Sequence, residues 1–139
     1  MKLKLLKGSW FRMIYRGTKK NERFLEVTNA NHVQENVRFA DKDMTEIELT
    51  GKHIRIGRGT DNHVILDDES ASRNQCELVK HFVGGWFLKT LKTANPTMLK
   101  ASLILSTKEK IPVILKENGD FKLKEGDEII IGNTVLSVE

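Results

Sequence analysis

The chain has 139 residues, of which 39% are hydrophobic and 30% are charged, and this length and composition are typical of a single folded domain. Its one cysteine, Cys76, rules out an intramolecular disulfide, and no apolar run approaches the roughly 18 residues needed to span a membrane. The net charge of +4 is too small to indicate a nucleic-acid-binding protein. We therefore expect an intracellular protein, in the cytoplasm or the nucleus, with neither a membrane nor a nucleic acid as its partner.

The start of the chain predicts two strands. Met1–Lys7 opens with apolar residues, but lysines interrupt them too soon for a signal peptide. Ser9–Tyr15 can form the opening strand of a sheet, and Arg23–Val27 is expected to pair with it across a polar loop. Residues 28–45 would then be an insertion. The alternative is that residues 1–45 form a small appendage, and the sequence leaves both interpretations open.

Val33–Asp43 is the longest helical candidate. Its apolar residues Val33, Val37 and Ala40 are spaced by four and three positions, as on one face of a helix. The run is short and contains Asn36, a poor helix former. We still expect a short helix at this place.

From His53 onward the sequence alternates in the manner of half-buried strands. Ile54 and Ile56 share one face, and the same period of two recurs at Val64 and Leu66 and at Cys76 and Leu78. The pairs Gly84-Gly85 and Gly132-Asn133 stand between apolar runs and predict hairpin turns. Short strands separated by turn residues predict an all-β sandwich or barrel.

Two more strands are predicted between these hairpins, at Ser102–Leu105 and Ile111–Leu115. Pro112 has no N–H to donate to a neighbouring strand, so the second strand should start at the proline or lie at a sheet edge. Glu117–Asp120 is a predicted turn, followed by a short strand at Phe121–Leu123.

Three polar motifs follow the strands of this half: Ile56-Gly57-Arg58, then Ser72-Arg73-Asn74-Gln75, then Thr93-Ala94-Asn95-Pro96-Thr97. An arginine presents a planar fork of donors that holds two phosphate oxygens, and a serine hydroxyl on a neighbouring loop supplies another hydrogen bond. An asparagine side chain can grip the backbone of an extended peptide. These side chains meet the needs of phosphopeptide binding.

The order and spacing of these motifs resemble the forkhead-associated (FHA) family, over roughly residues 48–138. The resemblance also includes the Asp61–Leu66 segment and the closing Glu125–Gly132 segment. It implies one domain over residues 1–139, an FHA-like β-sandwich of two antiparallel sheets, with an N-terminal extension or insertion in residues 1–45 and the core in residues 46–139. It further implies a phosphothreonine-dependent peptide-binding module of a larger signalling or assembly protein, with a threonine-phosphorylated protein as partner.

The resemblance assigns the candidate site residue by residue. Arg58 and Ser72 match the family's phosphate-binding residues, and Asn95 matches the residue that holds the peptide main chain. Ser70, Arg73 and Thr93 lie on the same predicted loops and are expected to widen the polar contact. The acidic run Asp67-Asp68-Glu69 would repel a phosphate dianion, so we expect it to point away from the pocket or to contact basic residues of the peptide.

Several positions depart from the family pattern and put the loop geometry in question. Gln75 stands where the family usually has a histidine that braces the loop, and Thr90 stands where an aspartate is expected. Pro96 replaces the glycine of an Asn-Gly-Thr turn, and Leu99-Lys100-Ala101 replaces Leu-Asn-Gly.

Other classes of function have weaker support in the sequence. The four histidines show neither metal-pair spacing nor a nucleophile motif nearby, so we expect no enzyme, no metal and no cofactor. The main alternative is a phosphate-independent FHA-like scaffold that binds a protein through a sandwich face or through residues 1–45. A third interpretation, nucleic-acid binding, would use basic and aromatic residues of the N-terminal part: Lys19, Lys20, Arg23, Trp10, Phe11 and Tyr15.

Overall fold

The computed structural model describes residues 1–17, 25–28, 34–39, 46–49, 51–101 and 112–139, and within these ranges it contains strands and no helix. None of the residues described there belongs to a helix that is long and apolar enough to cross a bilayer. The strands are β1 (Lys2–Lys7), β2 (Trp10–Gly17), β3 (Leu25–Thr28), β4 (Gln34–Phe39), β5 (Glu46–Glu48), β6 (His53–Gly57), β7 (Val64–Leu66), β8 (Cys76–Lys80), β9 (Trp86–Thr90), β10 (Met98–Lys100), β11 (Val113–Ile114), β12 (Asp120–Lys122), β13 (Glu128–Ile131) and β14 (Thr134–Val138).

The strands form two sheets that face each other. One sheet has the order β11-β10-β13-β14-β1-β5, and the other has the order β12-β9-β8-β6-β7-β2-β4-β3. All described strand pairs are antiparallel except β6 and β7, which run parallel. The predicted all-β sandwich is therefore confirmed.

Alternate residues of the facing strands fill one core. Leu3, Ile129 and Leu136 enter it from the first sheet, and Ile56 and Leu78 from the second, each completely buried. The period of two places one apolar side chain in every pair toward this core. Cys76 is also buried there as a free thiol.

The hairpins were predicted correctly. β8 and β9 pair directly, and Gly84 and Gly85 between them both have positive φ, at 103° and 87°. β13 and β14 also pair directly, around Gly132 with φ of 55°. Glycine fits these turns because it carries no Cβ to clash in the left-handed region. β11 begins just after Pro112 and lies at a sheet edge, as the missing N–H requires.

The N-terminal predictions need two corrections. Residues 34–39 of the predicted helix form strand β4, because the backbone of this segment pairs with β2 on one side and β3 on the other. The two predicted strands are also not neighbours, since β4 lies between β2 and β3. Residues 33 and 40–43 of the helix and 23–24 of the strand lie outside the described residues, as does Ser102–Leu105.

Met1–Lys7, for which no element was predicted, contains strand β1. It pairs with β14 over Leu3–Lys7 and with β5 over Lys2–Lys4. The first strand of the chain is thus bonded on one side to the last strand and on the other side to β5.

Candidate functional site

Three loops meet at one end of the eight-stranded sheet. We call them the Arg58 loop (58–63), the Ser72 loop (67–75) and the Asn95 loop (91–97). They meet because β6, β8 and β9 are consecutive neighbours, with Ile56 opposite Cys76 and Cys76 opposite Thr90. Antiparallel pairing brings the end of β6, the start of β8 and the end of β9 to the same edge. The three sequence motifs therefore lie side by side.

The Arg58 loop is bonded to the Ser72 loop along its backbone. The Arg58 N–H donates to the Ser72 carbonyl at 2.9 Å, and the Gly59 N–H donates to the Arg73 carbonyl at 3.1 Å. Gly57 permits this approach, since a Cβ at that position would stand 2.1 Å from the Arg73 carbonyl oxygen. The side-chain amide of the buried Asn62 closes the junction by donating to the Gly59 and Arg73 carbonyls at 2.7 and 2.6 Å.

The Arg58 side chain is exposed, and its fork is oriented. Its Nε donates to the Ala71 carbonyl at 3.0 Å, which fixes the plane of the guanidinium. The two terminal nitrogens have no hydrogen-bond partner among the described residues. The Ser72 hydroxyl likewise has none there, although the Ser72 N–H donates to Gln75 Oε1 at 2.8 Å. Donors from two loops are thus left open to an incoming anion.

Gln75 joins the Ser72 loop to the Asn95 loop. Its completely buried side chain accepts from the Ser72 N–H and donates through Nε2 to the Asn95 carbonyl and to Thr97 Oγ1, both at 3.0 Å. Every polar atom of the amide is engaged. Gln75 therefore braces the site although it departs from the family pattern, because its amide reaches both loops at once.

Asn95 is exposed and tied to the Ser72 loop. Its Nδ2 donates to the Ser70 carbonyl at 2.9 Å. The Asn95 Oδ1 accepts no hydrogen bond from the described residues, so this oxygen remains open to a donor such as a peptide N–H. The Thr93 hydroxyl donates to the Asn95 carbonyl at 2.8 Å, which makes it a brace of the turn.

The acidic run before Ser70 is partly used inside the fold. The Asp68 carboxylate accepts from the Asn133 N–H at 2.9 Å and from the Thr134 hydroxyl at 2.8 Å, and it also accepts from the Ser70 N–H and hydroxyl. Partial burial raises the pKa of this carboxyl, but the hydrogen bonds from Ser70, Thr134 and Asn133 outweigh it, so the Asp68 pKa lies below its ordinary value. The Asp68 side chain is thus bonded to the β13–β14 turn, while Asp67 and Glu69 are exposed.

The six candidate residues therefore divide into two groups. Arg58, Ser72 and Asn95 lie on adjoining loops with open polar atoms, and the exposed Arg73 side chain stands beside them. The Ser70 and Thr93 hydroxyls instead donate within the loops. This use of the two hydroxyls shapes the site without facing a ligand.

Sequence reasoning missed three features that build the site. Asn62 was not among the candidate residues, yet it is buried and bonded to two loops. Thr90 was interpreted as a departure, yet its hydroxyl accepts from the Gly119 N–H at 2.9 Å and donates to the Lys116 carbonyl. A cleft of about 310 Å³ also lies beside the Arg58 and Ser72 loops, lined by Arg55, Asp61, Asn62, Asn74, Cys76, Glu77 and Leu91. For Asn62 and Thr90, the available sequence signal was a small polar residue at or next to a buried strand.

The described histidines have structural partners. His53 Nε2 lies 3.0 Å from a Glu77 carboxylate oxygen, His63 Nδ1 accepts from the Arg55 N–H at 2.9 Å, and the His81 ring stacks on Phe87. Within the described parts of the chain, no group of three or more His, Cys, Asp or Glu residues is placed to hold a metal ion.

Comparison with known families decides what kind of domain carries these loops. The model of the FHA domain family matches residues 54–132, more than half of the chain. This chain belongs to the FHA family. FHA domains are binding modules rather than enzymes. No curated protein matches the sequence.

Two solved FHA domains share the fold at low sequence identity. The FHA domain of an Arabidopsis thaliana hypothetical protein is 16% identical, with a TM-score of 0.50 over 98% of this chain and 91% of its own. The N-terminal FHA domain of S. cerevisiae Rad53p, solved with a phosphothreonine peptide, is also 16% identical, with a TM-score of 0.50 over 70% of this chain and 86% of that one. Mycobacterium tuberculosis EmbR, in complex with a low-affinity phosphopeptide, is 17% identical with a TM-score of 0.48. The match spans 94% of this chain but only 24% of the EmbR chain.

Proposed function

We propose that this FHA domain binds phosphothreonine peptides through Arg58, Ser72 and Asn95, as a recognition module in signalling or complex assembly. The observation that carries the proposal is the Arg58 guanidinium, which Ala71 orients through Nε while its terminal nitrogens have no partner among the described residues. The Ser72 hydroxyl lies on the loop to which the Arg58 backbone is bonded. Membership of the FHA family supports it, and so does the phosphothreonine peptide bound to the Rad53p domain.

The chemistry of the pocket explains why phosphorylation would switch binding on. A phosphothreonine carries about −1.5 to −2 charges at neutral pH, whereas threonine carries none. The Arg58 fork and the Ser72 hydroxyl would each form charge-assisted hydrogen bonds to phosphate, worth about 1.5–3 kcal/mol apiece. Losing two of them weakens binding by a factor of about 100 or more.

Asn95 would supply specificity for an extended peptide. Its Nδ2 is held by the Ser70 carbonyl, so its Oδ1 is fixed in place to accept from a peptide N–H next to the phosphothreonine. Arg73 would add positive charge close to the phosphate. The cleft beside the loops would receive a flanking side chain of the peptide.

Among the described residues, the same arrangement offers no nucleophile or metal site for catalysis. Cys76 is buried, and burial together with the neighbouring Glu77 charge raises its pKa to about 12, so the thiol is not a nucleophile. A buried thiol without a disulfide partner fits a reducing compartment, and we place the binding activity inside the cell.

The test is a binding screen of the purified chain against a degenerate phosphothreonine peptide library. The same library unphosphorylated and a phosphoserine library serve as controls. Selective capture of phosphothreonine peptides is expected. Capture of all three libraries to the same extent, or of none by a folded chain, would reject the phosphate switch and favour the phosphate-independent scaffold.

A matched pair of variants then locates the pocket. Arg58→Ala should lower the affinity for the selected phosphopeptide at least about 100-fold without unfolding the domain, since two charge-assisted hydrogen bonds are lost. Lys2→Ala removes an exposed cation at the opposite end of the sandwich and should leave the affinity unchanged. Equal affinities of the two folded variants would remove Arg58 from the site.

A further inference from the structure

The turn between β8 and β9 exposes two adjacent apolar side chains. Phe82 is 99% exposed and Val83 is 80% exposed, more than any other large hydrophobic residue in the described part of the chain. The turn geometry does not require them, because Gly84 and Gly85 supply the positive φ angles that close it. Single exposed apolar residues are ordinary, but a fully exposed aromatic residue beside a second apolar one at a turn apex calls for an explanation.

This apex is held in a defined shape. The His81 N–H donates to the Gly85 carbonyl at 3.0 Å, and the Gly84 N–H donates to the His81 carbonyl at 2.9 Å. The His81 ring stacks on Phe87 with 3.8 Å between ring centroids and 21° between their planes. Phe82 and Val83 therefore project from a closed turn on a braced hairpin, and little ordering is needed before they can enter a pocket.

Positively charged side chains lie beside the apex. Three neighbouring strand ends contribute to it: residues 51–54, 79–87 and 121–124. Together these segments contain four lysines and no Asp or Glu, and the acidic residues Asp120 and Glu125 adjoin the last of them. The lysines are Lys52, Lys80, Lys122 and Lys124, and none of their ammonium groups has an ion pair among the residues that the structure describes.

The backbone joins these segments around the hairpin. The Lys80 N–H donates to the Lys52 carbonyl at 2.9 Å, and the Leu123 N–H donates to the Trp86 carbonyl at 2.9 Å. Lys122 reaches the turn itself, because its Cε would lie 3.4 Å from a Cβ built on Gly85. The cations thus border the apolar apex on both sides.

The apex lies at the opposite end of β8 and β9 from the three site loops. β8 has five residues, so about 15 Å of strand separates the two ends. Arg58, Ser72 and Asn95 are on the far side of that distance, and an occupant of one end leaves the other end accessible.

We propose that the β8–β9 apex is a second, phosphate-independent docking site, which inserts Phe82 and Val83 into an apolar pocket bordered by carboxylates on a partner protein. An apolar anchor surrounded by a charged rim is the usual anatomy of a protein interface. The unpaired lysines specify the acidic border, since they are complementary to carboxylates and would steer encounter at long range. The fixed shape of the closed turn favours a shaped protein pocket over a fluid lipid surface, which does not select for shape.

The test places the photoreactive residue p-benzoylphenylalanine at position 82 of the full chain. Irradiation in a phosphatase-treated extract of the cells that make this protein excludes capture through phosphothreonine. The same residue at position 113, which is 58% exposed on β11, is the control for an exposed apolar position elsewhere. A protein cross-linked only from position 82 is identified by mass spectrometry, produced in pure form and titrated with the chain.

The proposal predicts that Phe82→Ser lowers the affinity of the chain for this purified partner at least about 10-fold. The double variant Lys80→Glu, Lys122→Glu should lower this affinity by a similar factor. Added salt should lower the affinity of the wild-type chain for the partner. Phe82 is fully exposed, so its variant should fold and keep its phosphopeptide affinity. The controls Val113→Ser, Lys7→Glu and Arg58→Ala should bind the partner within about twofold of the wild type.

Four results would overturn the proposal. In the cross-linking experiment they are a yield from position 82 no greater than from position 113, capture of only a second copy of this chain, and capture of only lipid. In the titration it is an unchanged affinity of Phe82→Ser for the purified partner. None of them bears on the phosphopeptide site, because Arg58→Ala separates the two activities.

Discussion

Gln75 is the most informative residue to change, because one buried side chain holds two site loops together. Gln75→Ala removes hydrogen bonds to the Ser72 N–H, the Asn95 carbonyl and Thr97 Oγ1. At about 1 kcal/mol net for each bond, the free energy of unfolding should fall by about 3 kcal/mol. For a domain of this size the melting temperature should fall by about 10 °C.

The same substitution should also lower the affinity of the chain for the phosphopeptide. Ser72 and Asn95 lie on the two loops that Gln75 joins, so their open atoms lose their relative position, and we expect about a 10-fold loss of affinity. Urea unfolding measures the stability, and calorimetric titration measures the affinity. Gln75→His keeps one donor and one acceptor and should recover part of both losses.

Asn74→Ala is the matched control, since Asn74 is exposed on the same loop and has no hydrogen bond to any described residue. Its stability should stay within about 0.5 kcal/mol of the wild type. If Gln75→Ala is as stable as Asn74→Ala, the bridging role of Gln75 is refuted.

Three further predictions follow from single contacts. The Asp68 pKa is depressed in the folded chain, so its stabilising contribution is complete above the ordinary value of 3.8 and is lost as the pH falls through the lower folded pKa. The urea midpoint of the wild type, measured from about pH 6 to about pH 2, should show this loss, and the midpoint of Asp68→Asn should not. Parallel plots of midpoint against pH for the two proteins would contradict the assignment. Gly57→Ala forces a Cβ against the Arg73 carbonyl and should cost about 1–3 kcal/mol in urea unfolding, so an unchanged midpoint would show that the loop junction adapts. Cys76 should react with iodoacetamide at least about 100-fold more slowly in the folded chain than in urea, and equal rates would show that the thiol is accessible.

The sequence predicted the second half of the fold because local signals agree there. Ile54 and Ile56 follow the strand period of two, and Gly84-Gly85 and Gly132-Asn133 have the backbone freedom that tight turns need. Two pairs of consecutive strands in this half, β8 with β9 and β13 with β14, are joined by short turns, so their pairing follows from the local sequence. The confirmed edge position of β11 follows equally from one local fact, the missing N–H of Pro112.

The N-terminal part could not be predicted in the same way, because its strands are defined by pairing and not by their own sequence pattern. β1 is bonded to β14 at the other end of the chain, and the sequence of Met1–Lys7 contains no signal that identifies this partner. Val33, Val37 and Ala40 fit a helix face by spacing alone, and pairing of β4 with β2 and β3 overrides that weak preference.

Residue type also said less about the site than its surroundings do. Gln75 and Thr90 differ from the family pattern, yet each finds the partners that its own chemistry needs. Trp10 was a candidate for stacking on nucleic-acid bases, and it is instead 1% exposed in the core, which removes it from any such surface. Phe82 and Val83 belong to the apolar run before Gly84-Gly85 in the sequence, and the structure places them in a turn and exposes them.

The most direct test of the central claim is an NMR titration of the isotope-labelled chain with the phosphothreonine peptide selected from the library. The account predicts saturable shifts of the Arg58 guanidinium, the Ser72 and Arg73 amides and the Asn95 side-chain amide, with none at Phe82 and none with the unphosphorylated peptide. Shifts centred on another surface, or equal shifts with both peptides, would contradict the assignment of the phosphate to the Arg58 and Ser72 loops.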